Sequence, residues 1–342
     1  MAYRLRLEES PTNGFRRISQ SLSGLALDEL NASSVEAGGV HASRKAIKRL
    51  RALIRLFGPA LGKAQARRFN KNLRDVGRTL SKSRDRAVVT ETLARLSDAG
   101  GEEAAVTLRP LLRHLEARAA ELTAPLDPDE AVRARDALSR IAKRLEKSRV
   151  KGKGFGAMRD GLESSYRTGR AALKAAQENP TNETLHELRK AVQTHWRQMS
   201  LISRAWPDVL GARVTAARQL SQILGRDHDI AVLGSVADAA ADIEPGQKLA
   251  ISALCEASQT RIRETALARA AMLFAEKPSA FAARMQCYWK QAREIASSRP
   301  RPTLVVAPAE VNGEPAPPIA RGSAPSVLQS AMRSKAPSQR GA

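Results

Sequence analysis

The feature that most limits how this chain can fold is a match of the sequence to itself at an offset of about 145 residues. VHASRKAIKRLRALIRLF at 40–57 returns as LHELRKAVQTHWRQMSLI at 185–202. His41 aligns with His186, Arg44 with Arg189, Lys45 with Lys190, Ala46 with Ala191, and Leu56-Phe57 with Leu201-Ile202. A second block follows each copy: RDVGRTLSKSRDRAVV at 74–89 matches RQLSQILGRDHDIAVL at 218–233, the offset one residue shorter. It pairs Leu80 with Leu224, Asp85 with Asp229 and Val88 with Val232. So long a period belongs to a duplicated domain, not a solenoid. It predicts two similar halves related by a pseudo-two-fold axis, residues 1–150 and 151–297, divided near KGKGFG at 151–156.

Each half reads as all-α. Ala, Leu, Arg and Glu dominate and only 4% of residues are aromatic, a helix-forming composition. Helical periodicity is broken at Pro11, Gly38-Gly39, Gly58-Pro59, Gly100-Gly101, Pro125 to Pro128, Asn179-Pro180, Pro207, Pro245-Gly246 and Pro278. The intervening segments have the length of helices in antiparallel bundles joined by short loops. Eight of the 17 prolines lie from Pro300 onward, so residues 298–342 read as a disordered Pro/Ala/Ser-rich tail. Two cysteines, Cys255 and Cys287, are too few for a disulfide framework. No apolar run has the length of a transmembrane helix, and MAYRLRLEES is not a signal peptide; a cytoplasmic location is expected.

Charge points to a partner. Fifty-seven Lys and Arg against 35 Asp and Glu leave a formal net charge of +22, which calls for a polyanion or an anionic membrane surface. The excess is ordered. On a helix, His41, Arg44, Lys48, Arg51 and Arg55 share one face flanked by Lys45, a stripe about 21 Å long. Leu50, Leu53, Ile54 and Phe57 fall opposite as core contacts. From His41 through Arg86 there are fifteen Lys or Arg and two acids, although like charges at helical spacing repel. Lys71, Arg74, Arg78 and Lys82 form a second stripe, with Arg218 echoing Arg74. In the second copy His186, Arg189, Lys190, Arg197 and Arg204 share a face, but Gln193 stands where the first has Lys48, and Trp196 where it has Arg51. The first half is therefore expected to make more phosphate contacts. Another basic excess, including Arg140, Lys143, Arg144, Lys147, Arg149, Lys151 and Lys153, lies between 133 and 174.

The repeated H-x-x-R-K with an L-[FI] end, each copy followed by L-[SG]-x-x-[RH]-D, resembles the conserved histidine α-helical domain family, CHAD, from about Phe15 to about Ile295. The resemblance implies two four-helix-type bundles around a basic surface, and binding of inorganic polyphosphate on it. The sixteen residues of the stripes are its expected contacts, with Arg as forked donor, Lys as mobile charge, and His41 and His186 as donors. Attachment to polyphosphate granules goes with that reading. Nonspecific nucleic-acid binding is the main rival, since it too rests on neutralised phosphates, and a granule-surface scaffold attached through amphipathic helices or the basic tail is a third reading. No aromatic residue interleaves the stripe at 41–55, and no zinc finger or RNP-type motif is present. An enzyme is not expected: there is no P-loop, no nucleophile constellation and no E-x-E-x-K strand of a fused triphosphatase. Neither cofactor nor metal is implied. The DHD at 227–229 lacks further metal ligands at set spacing and reads as capping and pairing near a helix start after Gly225.

Overall fold

The computed structural model describes residues 3–31, 37–80, 85–118 and 127–298. Among them all regular structure is helical: α1 (Pro11–Asn31), α2 (Ala37–Leu56), α3 (Gly58–Leu61), α4 (Lys63–Thr79), α5 (Asp85–Ala117), α6 (Pro128–Glu146), α7 (Gly156–Glu178), α8 (Asn182–Ile202), α9 (Pro207–Ala239), α10 (Pro245–Leu273) and α11 (Pro278–Ser298). The sequence breaks become the joints. Pro59, Pro128, Pro207 and Pro245 occupy the first turn of their helices, where a missing N–H costs nothing. Asp127 caps α6 by accepting from the Asp129 N–H, and Thr181 with Thr184 forms a capping box at α8. Gly101, at φ 66 and ψ −154, kinks α5 at the expected Gly-Gly break.

α1 packs on α2, α2 on α4, α4 on α6, and α6 back on α1. α7 packs on α8, α8 on α9 and α9 on α10, with α11 against α7. α5 packs against α9 and α10, where Val89, Leu93, Leu108 and Leu111 meet Ile230, Leu233, Ile251 and Cys255 in a small separate core.

The larger core is continuous from Phe15, Leu53 and Phe57 to Leu162, Tyr166, Leu201 and Phe281. α7 crosses the end of α2 at Gly161, where a Cβ would stand 2.0 Å from the Leu56 carbonyl oxygen. Only glycine allows α7 to cross the end of α2 at that distance. The chain start ties in as well: the Leu5 N–H donates to the Leu201 carbonyl at 2.9 Å and the Tyr3 hydroxyl to the Arg197 carbonyl at 3.3 Å. α2 and α8, the two copies of the repeated motif, pack directly on each other.

α9 runs unbroken through Gly225 to Ala239, so Asp227 and Asp229 lie mid-helix and not at the start of a helix after Gly225. Asp227 does pair: buried, it accepts from Arg263 Nε at 2.7 Å and ties α9 to α10. The expected tail beyond Ser298 lies outside the described residues. No described helix is long and apolar enough to cross a membrane.

Candidate polyanion-binding cavity

Leu50, Leu53 and Ile54 bury the inner face of α2, with Phe57 just past its end, and Ala66, Phe69, Leu73 and Val76 that of α4. Their apolar spacing sets which side chains are left for the opposite faces. Arg44, Lys48, Arg51 and Arg55 of α2, with Arg74 and Arg78 of α4, form one wall of a cavity of about 590 Å³. Facing them are His186, Glu187, Arg189, Lys190, Gln193, Thr194 and Arg197 of α8, and His228, Asp229 and Val232 of α9. Nine Lys and Arg thus share the lining with two carboxylates, Glu187 and Asp229. Arg55 Nη1 spans the two sides, donating to Thr194 Oγ1 at 2.6 Å.

Some polar atoms inside the walls, two arginine N–H donors and one imidazole nitrogen, have no protein partner. Among the described residues Arg51 Nε, Arg197 Nε and His186 Nδ1 are buried without a hydrogen-bond partner. Such groups are uncommon in folded proteins, because each forfeits its hydration. Arg197 does donate through Nη1 to the Gln193 carbonyl at 2.7 Å, and its guanidinium lies 4.4 Å from the Trp196 ring centre. Lys190 pairs with Glu187.

Crowded cations make further positive charge costly. Burial, then Arg55, Arg74 and Arg78, pulls the Arg51 pKa down to about 10. Arg197 is drawn to about 10 by burial foremost, with Tyr3 opposing and Arg49, Arg189 and Arg51 adding to the fall. Both stay protonated at neutral pH. The histidines do not: burial first, then Arg189, His186 and Lys48, lowers His228 to about 4. His186, whose ring centre lies 4.7 Å from that of His228, is lowered by burial, then by Lys190 and Arg189.

Ten of the sixteen expected contacts converge here: Arg44, Lys48, Arg51, Arg55, Arg74, Arg78, His186, Arg189, Lys190 and Arg197. His41 lies one turn nearer the start of α2 than the first lining residue, Arg44, and is half-buried off the wall. Lys45, Lys71 and Arg218 are exposed elsewhere on their helices, and Arg204 is exposed on the 3-10 turn Ser203–Ala205 that follows α8. Lys82 lies outside the described residues. His228 was not expected. Its signal was the DHD triplet, which becomes readable as a cavity-facing position only when α9 is known to continue through it. Among the described residues no group of three or more His, Cys, Asp or Glu is placed to hold a metal ion.

Fold and cavity together define an all-helical protein with a cation-lined central cavity. The chain belongs to the CHAD family: the CHAD domain family model matches residues 23–238, well over half of its length. That match ends before α10 and α11 begin. Among solved structures the fold resembles PptA from Streptomyces chartreusis, with a TM-score of 0.55 at 15% identity, over 78% of this chain and 100% of that one. No curated protein matches.

Proposed function

We propose that this protein binds inorganic polyphosphate in the cavity between α2, α4, α8 and α9. The observation that carries the reading is nine Lys and Arg against two carboxylates on the cavity wall, with donors buried there without acceptors. So many like charges oppose one another across a partly desolvated space, and an anionic chain relieves that repulsion while accepting from the orphaned donors. The ligand needs negative charge at every unit and no bases, because Phe, Tyr and Trp are absent from the lining. Membership of the CHAD family supports the assignment. In this reading the two halves are duplicated units in pseudo-two-fold relation, with the first supplying six of the nine cations. The protein binds without catalysing a reaction, and in the cytoplasm binding attaches it to polyphosphate granules.

Calorimetric titration with polyphosphate of defined length, in competition with DNA matched per phosphate, tests this. Polyphosphate is expected to win at physiological ionic strength, and both to weaken with salt. Equal competition by DNA would reduce the protein to a nonspecific polyanion binder. Granule attachment is tested separately: a fluorescent fusion is expected to lose its foci in cells unable to make polyphosphate, and foci that persist refute that part.

A further inference from the structure

On the flank of α4 that faces away from the central cavity lies a groove of about 680 Å³ between α4 and α6. Its floor is core, with Phe69, Val76 and Ile141 nearly inaccessible, so the groove follows from how the two helices pack. Its rim is cationic. Arg133, Arg140, Arg144 and Lys147 stand at i, i+7, i+11 and i+14 on α6 and its C-cap, in one row about 21 Å long. Arg68 joins them from α4. Two carboxylates also face the groove, Glu130 at one end and Asp75, which lies 3.9 Å from Arg74 and 4.0 Å from Arg78.

The row therefore repeats, on a second helix, the character of the row that α2 turns toward the central cavity, Arg44 to Arg55, and is about one turn longer. α4 belongs to both sites, carrying Arg74 and Arg78 on one flank and Arg68 on the other. The separation is about one helix diameter, roughly 10–12 Å. We propose that the α4–α6 groove is a second polyphosphate site, occupied by a further stretch of the same chain that fills the central cavity. This rests on the central cavity's being a polyphosphate site. Once one stretch is held, the rest of a flexible chain is presented to the groove at high effective concentration, so long chains gain affinity that short ones do not.

The test is titration of the full chain with tripolyphosphate and with polyphosphates of increasing defined length. It uses the unaltered protein, a groove variant (Arg133→Ala, Arg140→Ala, Arg144→Ala, Lys147→Ala) and a charge-matched control. That control removes four exposed cations elsewhere: Lys174→Ala, Arg261→Ala, Arg269→Ala and Lys290→Ala. The groove variant is expected to bind long chains about tenfold or more weakly than the control, with central-site affinity for tripolyphosphate equal in the two. Equal loss of long-chain affinity in both variants means that only net charge matters, and overturns the proposal. So does an unchanged dependence on chain length in the groove variant. If tripolyphosphate fails to bind the unaltered protein while long chains bind, the reading of the central cavity fails instead. Long chains that are then still weakened by the groove variant alone leave the groove as a polyphosphate site in its own right.

Discussion

His228 shows how the cavity turns charge crowding into a response. With the cavity free its pKa sits at about 4, below the ordinary 6.5, because burial, Arg189, His186 and Lys48 all disfavour a further proton. A polyanion lodged among these residues reverses the Coulombic part of that balance and raises the value. The bound form then holds more protons than the free form between pH 4 and neutrality. Affinity rises as pH falls through that window, by at most about tenfold per unit for each proton taken up. Glu187 and Asp229 face the same space, so a substitution at His228 is what assigns the effect to that ring. Calorimetry at pH 6 in buffers of different ionisation enthalpy is expected to register net proton uptake on binding, and His228→Asn to reduce it. Uptake unaltered by that substitution would locate the proton elsewhere.

At the scale of elements, the sequence showed the helices and hid their convergence. Apolar spacing in α2 separated Leu50, Leu53, Ile54 and Phe57 from the cations, and the proline and glycine breaks marked the joints, because both are governed by neighbours along one helix. Which stretch of a stripe reaches a cavity depends on where another helix crosses, and no local periodicity records that. Hence Arg51 and Arg197 meet across the cavity while Arg204 ends beyond α8, though both arginines of the second copy fit the same face. Gly161 is the clearest case of a residue whose role exists only in three dimensions. Its close approach to the Leu56 carbonyl fixes the crossing of α7 over α2, on which the placing of the cavity's walls depends. Gly161→Ala is expected to destabilise the fold by about 1 to 3 kcal/mol through overpacking, seen as a lower urea midpoint. An unchanged midpoint would show that the crossing can relax. A second element-level dependence is on pH. His195 is buried with its value held well below 6.5 by burial and by Arg213, whose Nε donates to His195 Nε2 at 3.1 Å. The unfolded chain therefore binds the extra proton first. The stability His195 contributes is fully present above about pH 6.5 and is lost as pH falls below it, so the urea midpoint at pH 5 is expected to lie below that at pH 7.5. Replacing His195 with Gln should flatten that difference, and a difference of the same size would assign it to other groups.

For the molecule as a whole, the cation-lined cavity is a cost carried by the free protein. The two copies of the motif are held together by a continuous core, by the contact at Gly161 and by the Leu5 hydrogen bond to Leu201, while Arg51 and Arg197 repel across the space between them. A structural role and a binding role predict opposite signs when that repulsion is removed. If Arg51 served the fold, deleting its charge would destabilise it. If it is kept for an anion, Arg51→Met should stabilise the free protein by about 1 kcal/mol, while lowering polyphosphate affinity. Added polyphosphate should raise the unfolding midpoint of the unaltered protein, because it binds only the folded state, and should raise that of Arg51→Met less. Thermal unfolding of both proteins at low salt, with and without polyphosphate, reads both signs in one experiment. A variant less stable than the parent in the free state, with an undiminished ligand-induced shift, would show that Arg51 holds the structure together and that the anion is bound by other residues.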